Sequence, residues 1–172
     1  MLDAIPGVML VNLMPHQDDR GAYTELYRDD WALEVRPSQW NVNHSNAGTM
    51  RGVQAHKRRY DYTAMLSGSM ILALHDTRRS SPMFGKTLMA EFHKHDGLAI
   101  IIPPRVAHGL YYLEDSVTLI GFTDAWDPSD DFRCHHTSPE LSMKWPGPVK
   151  CISDSDGAAQ SYQAFLAALG DA

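Results

Sequence analysis

Short runs in which apolar and polar residues alternate make up most of the chain, and Gly, Pro, Asn and Asp separate them. Alternate side chains of a strand face opposite sides of a sheet, so this pattern predicts many short strands rather than helices or βαβ units. An all-β fold follows, built as a closed barrel or as two packed sheets. The predicted strands are residues 8–13, 23–27, 39–45, 51–55, 62–66, 69–76, 86–92, 98–102, 108–113 and 117–123.

A helical period occurs only near the C-terminus, where Tyr162, Phe165, Leu166 and Leu169 recur at three- and four-residue steps before a glycine. This spacing predicts a short helix over residues 158–169. Residues 126–148 are rich in Pro, Ser, Asp and His and are expected to form an extended loop. We therefore expect one domain over residues 1–172, with a core barrel at roughly 39–125 and a C-terminal extension over 126–172.

The composition excludes several classes of protein. With 172 residues, 44% hydrophobic and 21% charged, the chain is globular, and its net charge of -6 argues against a nucleic-acid partner. Cys134 and Cys151 fit neither a disulfide framework nor a zinc module. The apolar N-terminus lacks a basic flank and is broken by Pro6 and Gly7, so neither a signal peptide nor a membrane partner is predicted. We expect a cytoplasmic protein.

Candidate chemistry is concentrated in two blocks. The first has Gly48, Gln54, His56, Asp61 and Gly68, and the second has Gly97, Pro103, Arg105, His108 and Tyr112. The spacing of these residues resembles the two cupin motifs, in which the first block supplies two histidines and a glutamate and the second supplies one more histidine. The resemblance covers residues 48–112 and implies a cupin jelly roll or antiparallel β-barrel with a short C-terminal helix.

These spacings predict a polar pocket around His108. Gln54 and His56 are two residues apart on a predicted strand, so both side chains can face the same side. Asp61 from the next strand and the imidazole of His108 would complete a converging set. The alternative is that His56 and His108 are structural histidines with satisfied hydrogen bonds.

Longer strings allow a narrower comparison. They are residues 19–25, 39–41, 51–52, 76–85, 102–103, 107–109 and 145–146. In order and approximate spacing these strings resemble the dTDP-4-dehydrorhamnose 3,5-epimerases and their sugar-nucleotide relatives. The resemblance implies a homodimeric cupin isomerase that binds a nucleoside diphosphate 4-keto-6-deoxy sugar and inverts carbons next to the ketone, without a cofactor. It further implies that Arg20, Glu25, Gln39, Asn41 and Arg51 hold the nucleotide or its diphosphate, with Gln54 as a further substrate contact.

The chain departs from this family in its catalytic groups. The family's general base falls at Gln54, and an amide cannot take a proton near neutral pH. The family's lysine falls at Asp61, whose charge is expected to repel an enolate. Its tyrosine acid falls near Ile120 or Gly121, and its orienting aspartate falls near Ser138. His56 follows two residues after Gln54, as if the family's histidine and glutamine had been exchanged.

Three hypotheses follow. In the first, the chain is a sugar-nucleotide epimerase or isomerase with His56 or His108 as base, Asp61 beside them, and Tyr112 or Tyr62 as acid. In the second, it is a metal-dependent cupin enzyme of another reaction class. A divalent transition metal on Gln54, His56, Asp61 and His108 would then replace the lost lysine as a Lewis acid. In the third, it only binds a nucleoside diphosphate sugar.

Overall fold

Two five-stranded antiparallel sheets form the body of the protein in a computed structural model, which describes residues 1–33 and 35–170. The strands are β1 (Met9–Asn12), β2 (Pro15–Asp18), β3 (Gly21–Thr24), β4 (Gln39–Ser45), β5 (Met50–Ala55), β6 (Asp61–Ser67), β7 (Ser69–Asp76), β8 (Thr87–His93), β9 (Leu98–Ile102), β10 (Val106–Tyr112), β11 (Ser116–Phe122) and β12 (Phe132–Arg133). Two short helices follow, α1 (Asp154–Gly157) and α2 (Tyr162–Leu169).

The first sheet has the order β1-β9-β6-β11-β4, and the second has the order β12-β5-β10-β7-β8. The two sheets pack face to face, and the core between them takes apolar side chains from both. Its buried members include Leu72, Leu74, Ile100, Ile102 and Tyr112. This confirms the predicted all-β, cupin-like fold. Strands β6 and β10 lie at the centre of their sheets, so side chains on them have a rigid support.

The elements differ from the prediction in three places. Strand β3 ends before residue 27 and pairs with β2. The alternation did not predict β2, because all four residues of β2 are exposed. Strand β12 is too short to show a period. The C-terminal helix begins at Tyr162 rather than at residue 158, because the Ser161 hydroxyl caps it by accepting from the Ala164 amide.

Helix α2 packs on the outer face of the second sheet through Phe165 and Leu169. A buried polar contact fixes it there: His75 Nε2 accepts from the Tyr162 hydroxyl at 2.8 Å. His75 Nδ1 donates to Thr87 Oγ1 at 2.7 Å, since the threonine hydroxyl itself donates to a backbone carbonyl. His75 is therefore held as a neutral imidazole. Neither α1 nor α2, nor any other helix within residues 1–33 and 35–170, is long and apolar enough to span a membrane.

We expect His75 to make the stability of the protein depend on pH. Burial lowers the pKa of His75 to about 4, whereas an unfolded histidine titrates near 6.5. The unfolded state therefore binds more protons between these values, and stability falls as pH decreases from about 6.5 towards 4. From about pH 7 to pH 4.5 the wild type should lose about 2 to 3 kcal/mol more than His75→Gln.

Urea unfolding at both pH values measures this difference. His95→Gln is the matched control, because His95 is exposed and should keep the wild-type pH dependence. Equal pH slopes for the wild type and His75→Gln would show that His75 is not the source.

Candidate functional site

A cavity of about 410 Å³ opens against the inner faces of the two sheets. Strands β5 and β10 of the second sheet and β6 and β11 of the first contribute to its wall. Residues 151–156, which lead into α1, close another side. Its charged and polar wall includes Asn43, Arg51, Gln54, Asp61, Thr63, His108, Arg133 and Asp156. Two arginines, two carboxylates and one imidazole therefore border the same space.

His108 and Asp61 form a buried pair on this wall. His108 Nε2 lies 3.0 Å from Asp61 Oδ2, and both residues are only 3% exposed. The other ring nitrogen, Nδ1, lies 3.1 Å from the Val106 carbonyl oxygen. Both facing atoms are acceptors, so both contacts are hydrogen bonds only when His108 is a doubly protonated imidazolium.

The Asp61 carboxyl is ionised in this setting. Burial by itself raises the pKa of Asp61. Together, the hydrogen bond and the charge of His108 are the largest influence in the other direction, and the pKa of Asp61 is lowered well below its usual range. Asp61 is therefore an anion against which an imidazolium can be held.

Arg59 lies behind Asp61 and is as deeply buried. Its Nε donates to Asp61 Oδ1 at 3.0 Å, and its guanidinium stacks 4.1 Å from the Phe122 ring centroid. The expected repulsion of an enolate by Asp61 is therefore not what the structure shows. Arg59 neutralises the carboxylate, so Asp61 leaves no uncompensated negative charge on the cavity wall beside His108.

His56 lies behind Asp61 and beside Arg59 rather than on the cavity wall. Arg59 Nη2 is 2.8 Å from His56 Nε2, and arginine can only donate, so this nitrogen accepts. The remaining hydrogen is then on Nδ1, which donates to the Asp130 carbonyl at 2.8 Å. His56 is accordingly a neutral imidazole with both nitrogens occupied.

This geometry does not fit the metal site that the sequence suggested as an alternative. Ligand atoms of His56, Asp61 and His108 lie within 4.8 Å of one another, and these three residues are buried. However, Arg59 already uses the lone pair of His56 Nε2, and its fixed positive charge would oppose a second cation there. The positive charge beside these residues is the guanidinium of Arg59.

The sequence profile of the dTDP-4-dehydrorhamnose 3,5-epimerase family matches residues 3–164. The chain belongs to this family. The resemblance expected from the sequence strings is thereby confirmed.

Comparison with individual proteins agrees with this assignment. The enzyme of that name from Mycobacterium tuberculosis is 30% identical over 173 residues, covering 92% of this chain and 85% of the relative. The spore coat polysaccharide biosynthesis protein SpsL of Bacillus subtilis is 33% identical over 145 residues, covering 82% of this chain and 96% of SpsL. The solved structure of the M. tuberculosis rmlC epimerase superimposes with a TM-score of 0.88 at 27% identity, covering 96% and 90% of the two chains.

Four residues of the substrate set that the family resemblance implies lie at or beside the cavity. Arg51 and Gln54 line it. Gln39 and Asn41 lie on β4 on the same face as Asn43, a lining residue, and Gln39 Nε2 donates to Asn41 Oδ1 at 3.0 Å. Asn41 Nδ2 is buried and has no hydrogen-bond partner among the described residues.

Arg20 and Glu25, the other two residues of that set, do not line this cavity. Arg20 lies on the β2–β3 hairpin with its side chain 90% exposed and bonds to Asp18 at 2.6 Å. Glu25 lies 3.5 Å from Arg28. Within one chain the structure therefore does not bring either residue to His108.

Neither tyrosine predicted as an acid lines the cavity. Tyr112 shares a strand face with His108 but lies further into the core, where its hydroxyl bonds to Thr118 Oγ1 at 2.7 Å. Tyr62 lies on the opposite face of β6 from Asp61, and its hydroxyl donates to the Leu26 carbonyl. Burial raises the pKa of Tyr62. These positions explain both residues as parts of the packing.

Sequence reasoning missed Arg133 and Asp156. Arg133 lies opposite Gln54 in the β12–β5 ladder, and its Nη1 contacts Asp156 Oδ1 at 3.2 Å. Asp156 Oδ2 accepts from the Gly52 amide at 3.2 Å. The cavity thus has an aspartate, although the position expected near Ser138 has none. The sequence signal that could have indicated α1, and with it Asp156, is Ser153, the helix cap three residues earlier.

The backbone at Gly52 shows why the Arg51-Gly52 string contains a glycine. Its φ of +92° lies in the region that favours glycine, and a Cβ there would lie 2.7 Å from the His108 carbonyl oxygen. Glycine thus lets β5 approach β10 beside His108.

Proposed function

We propose that this protein is an isomerase that epimerises a dTDP-4-keto-6-deoxyhexose by proton transfer next to the ketone, without a cofactor. The observation that carries the proposal is the buried His108–Asp61 pair on the wall of a cavity that Arg51 also lines, in a member of this family. Relatives named dTDP-4-dehydrorhamnose 3,5-epimerase support the substrate class.

His108 is the proposed proton carrier. Its Nε2 faces Asp61 and its Nδ1 faces the Val106 carbonyl, so the ring must turn to present its unprotonated nitrogen to the cavity. There the neutral imidazole accepts the proton from the carbon next to the ketone. The electron pair of that C–H bond moves into the C=C bond of an enolate, and the carbonyl oxygen takes the negative charge. Once the ring has turned back, the imidazolium has acceptors at both nitrogens, which stabilises the state after transfer. A water molecule on the other face of the enolate then donates a proton to the carbon, which inverts it, and His108 releases its own proton to solvent.

Proton exchange with solvent tests the proposal. The protein is incubated with dTDP-4-keto-6-deoxyglucose in D₂O, and NMR and mass spectrometry follow deuterium at the carbons next to the ketone. We expect incorporation that metal chelators do not change. Tight binding of the sugar nucleotide without incorporation would support the binding-only hypothesis instead, and incorporation that chelators abolish would support a metal-dependent enzyme.

Arg51 is proposed to contact the diphosphate. Its Nε and Nη2 are held by Ser45 Oγ at 3.0 Å and by the His44 carbonyl at 3.2 Å, which fixes the guanidinium on the cavity wall. Hydrogen bonds to charged groups contribute about 1.5 to 3 kcal/mol, so Arg51→Ala should weaken dTDP binding by roughly tenfold or more. Isothermal titration calorimetry measures the Kd.

Lys86→Ala is the matched control for this prediction, since Lys86 is also a cation but is exposed and does not line the cavity. An unchanged Kd for Arg51→Ala would contradict the assignment.

A homodimer is proposed as the active form. Arg20 and Glu25 lie away from the cavity of their own chain, so a nucleotide contact by them would come from a second copy. Apolar side chains exposed on the hairpin and on β4 support such a contact: Tyr23 is 67%, Trp40 40% and Val42 51% exposed. Mixing Arg20→Ala with His108→Asn should then restore exchange in mixed dimers, which contain one intact site.

The cytoplasmic location and the division into a single domain stay predictions.

A further inference from the structure

Arg59 is the least expected group in the site, since nothing in its sequence surroundings marks it. It is 3% exposed and makes two directed contacts, to Asp61 Oδ1 and to His56 Nε2. Its Nη1 is buried and has no hydrogen-bond partner among the described residues. A buried charged donor without a partner costs stability, so this residue is poorly explained as a device for stability alone.

The loop that carries Arg59 is clamped from the far side. Asp130 Oδ1 accepts from the Lys57 amide at 2.8 Å, and Asp130 Oδ2 accepts from the Arg58 amide at 3.3 Å. The carbonyl of the same Asp130 accepts from His56 Nδ1. Asp130 thus fixes both the backbone next to Arg59 and the ring of His56, which accepts the hydrogen bond from Arg59.

We propose that Arg59 is a positioning residue that locks His56 in the neutral Nδ1–H form and holds Asp61 against His108, so that His108 alone carries the exchanging proton. This inference rests on the proposed function only for its kinetic consequence. The hydrogen-bond assignment stands on the geometry alone.

The charged and titratable neighbours are consistent with this assignment. His56 faces Arg59, Asp61 Oδ2 at 3.4 Å and Asp131 Oδ1 at 3.7 Å, and both carboxylate distances are longer than that to the guanidinium. Asp131 Oδ2 instead takes a hydrogen bond from Arg133. His108 faces Asp61 on β6, and the remaining charged groups of the cavity wall are Arg51, Arg133 and Asp156.

Ring-nitrogen NMR on ¹⁵N-histidine protein tests the lock without any substrate. In the wild type, His56 should show the neutral Nδ1–H tautomer that its two hydrogen bonds require. In Arg59→Gln, His56 should no longer be fixed in this tautomer. His56→Gln identifies its signals. Nε2–H in the wild-type His56, or ring-nitrogen signals that are identical in Arg59→Gln, would overturn the proposal whether or not the protein is an epimerase.

The kinetic consequence is measured separately, by the pH profile of deuterium exchange. The wild type should show one ionisation in kcat, and Arg59→Gln should show a second and a kcat lower by about tenfold to a hundredfold, because a displaced catalytic group loses that much. Arg59→Gln with His56→Gln should return to one ionisation. A lower kcat with an unchanged profile would mean that Arg59 is only structural. Arg59→Lys keeps the charge and serves if Arg59→Gln does not fold.

Discussion

His108→Asn is expected to lower the rate of deuterium exchange by about a thousandfold, within the range that a general acid–base group contributes. Asparagine occupies a similar volume and can still donate to Asp61, but it cannot accept a proton from carbon near neutral pH. Because Arg51 and the nucleotide side of the cavity are untouched, the Kd for dTDP should stay within about threefold.

Rapid-quench exchange measurements and calorimetry on the same preparation give both numbers. His95→Asn is the matched control, since His95 is exposed and does not line this cavity. Exchange at the wild-type rate in His108→Asn would remove His108 from the mechanism. Loss of dTDP binding together with exchange would indicate a role in binding instead.

Asp61→Leu is expected to destabilise the protein by about 3 to 5 kcal/mol, because it leaves the buried Arg59 without its carboxylate. Arg59→Met should destabilise the protein by a similar amount, because it leaves the buried Asp61 carboxylate without the guanidinium. The double variant removes both charges and places apolar side chains beside Phe122, so it should recover most of the loss.

Urea unfolding of the wild type, the two single variants and the double variant forms a thermodynamic cycle. A double variant whose loss equals the sum of the single losses would show that the two charges do not interact. The double variant should still be inactive in exchange, because His108 would have lost its acceptor.

The sequence predicted that His108 and Asp61 face one cavity because each lies within a strand, where alternation fixes the direction of a side chain. It predicted His56 less well. Strand β5 ends at Ala55, so the two-residue rule that relates Gln54 to its neighbours no longer holds at His56. The ring turns behind Asp61 instead of into the cavity.

Arg59 could not be predicted for a related reason. It lies in the turn between β5 and β6, and its direction depends on Asp130, more than seventy residues later in the chain. The family strings indicated Arg20 as a residue of interest, and its role stays a prediction. They contain no information on which copy of the chain it serves, because strings describe order along one chain and not contacts between chains.

The dependence of Asp61 on Arg59 also bears on how such a site could have arisen. Each charge is buried and depends on the other for much of its compensation, so a chain that acquired one first would have passed through a less stable intermediate. The two substitutions are therefore expected to be inherited together. Attempts to graft this chemistry onto another member of the family should transfer residues 56–61 as one block rather than position by position.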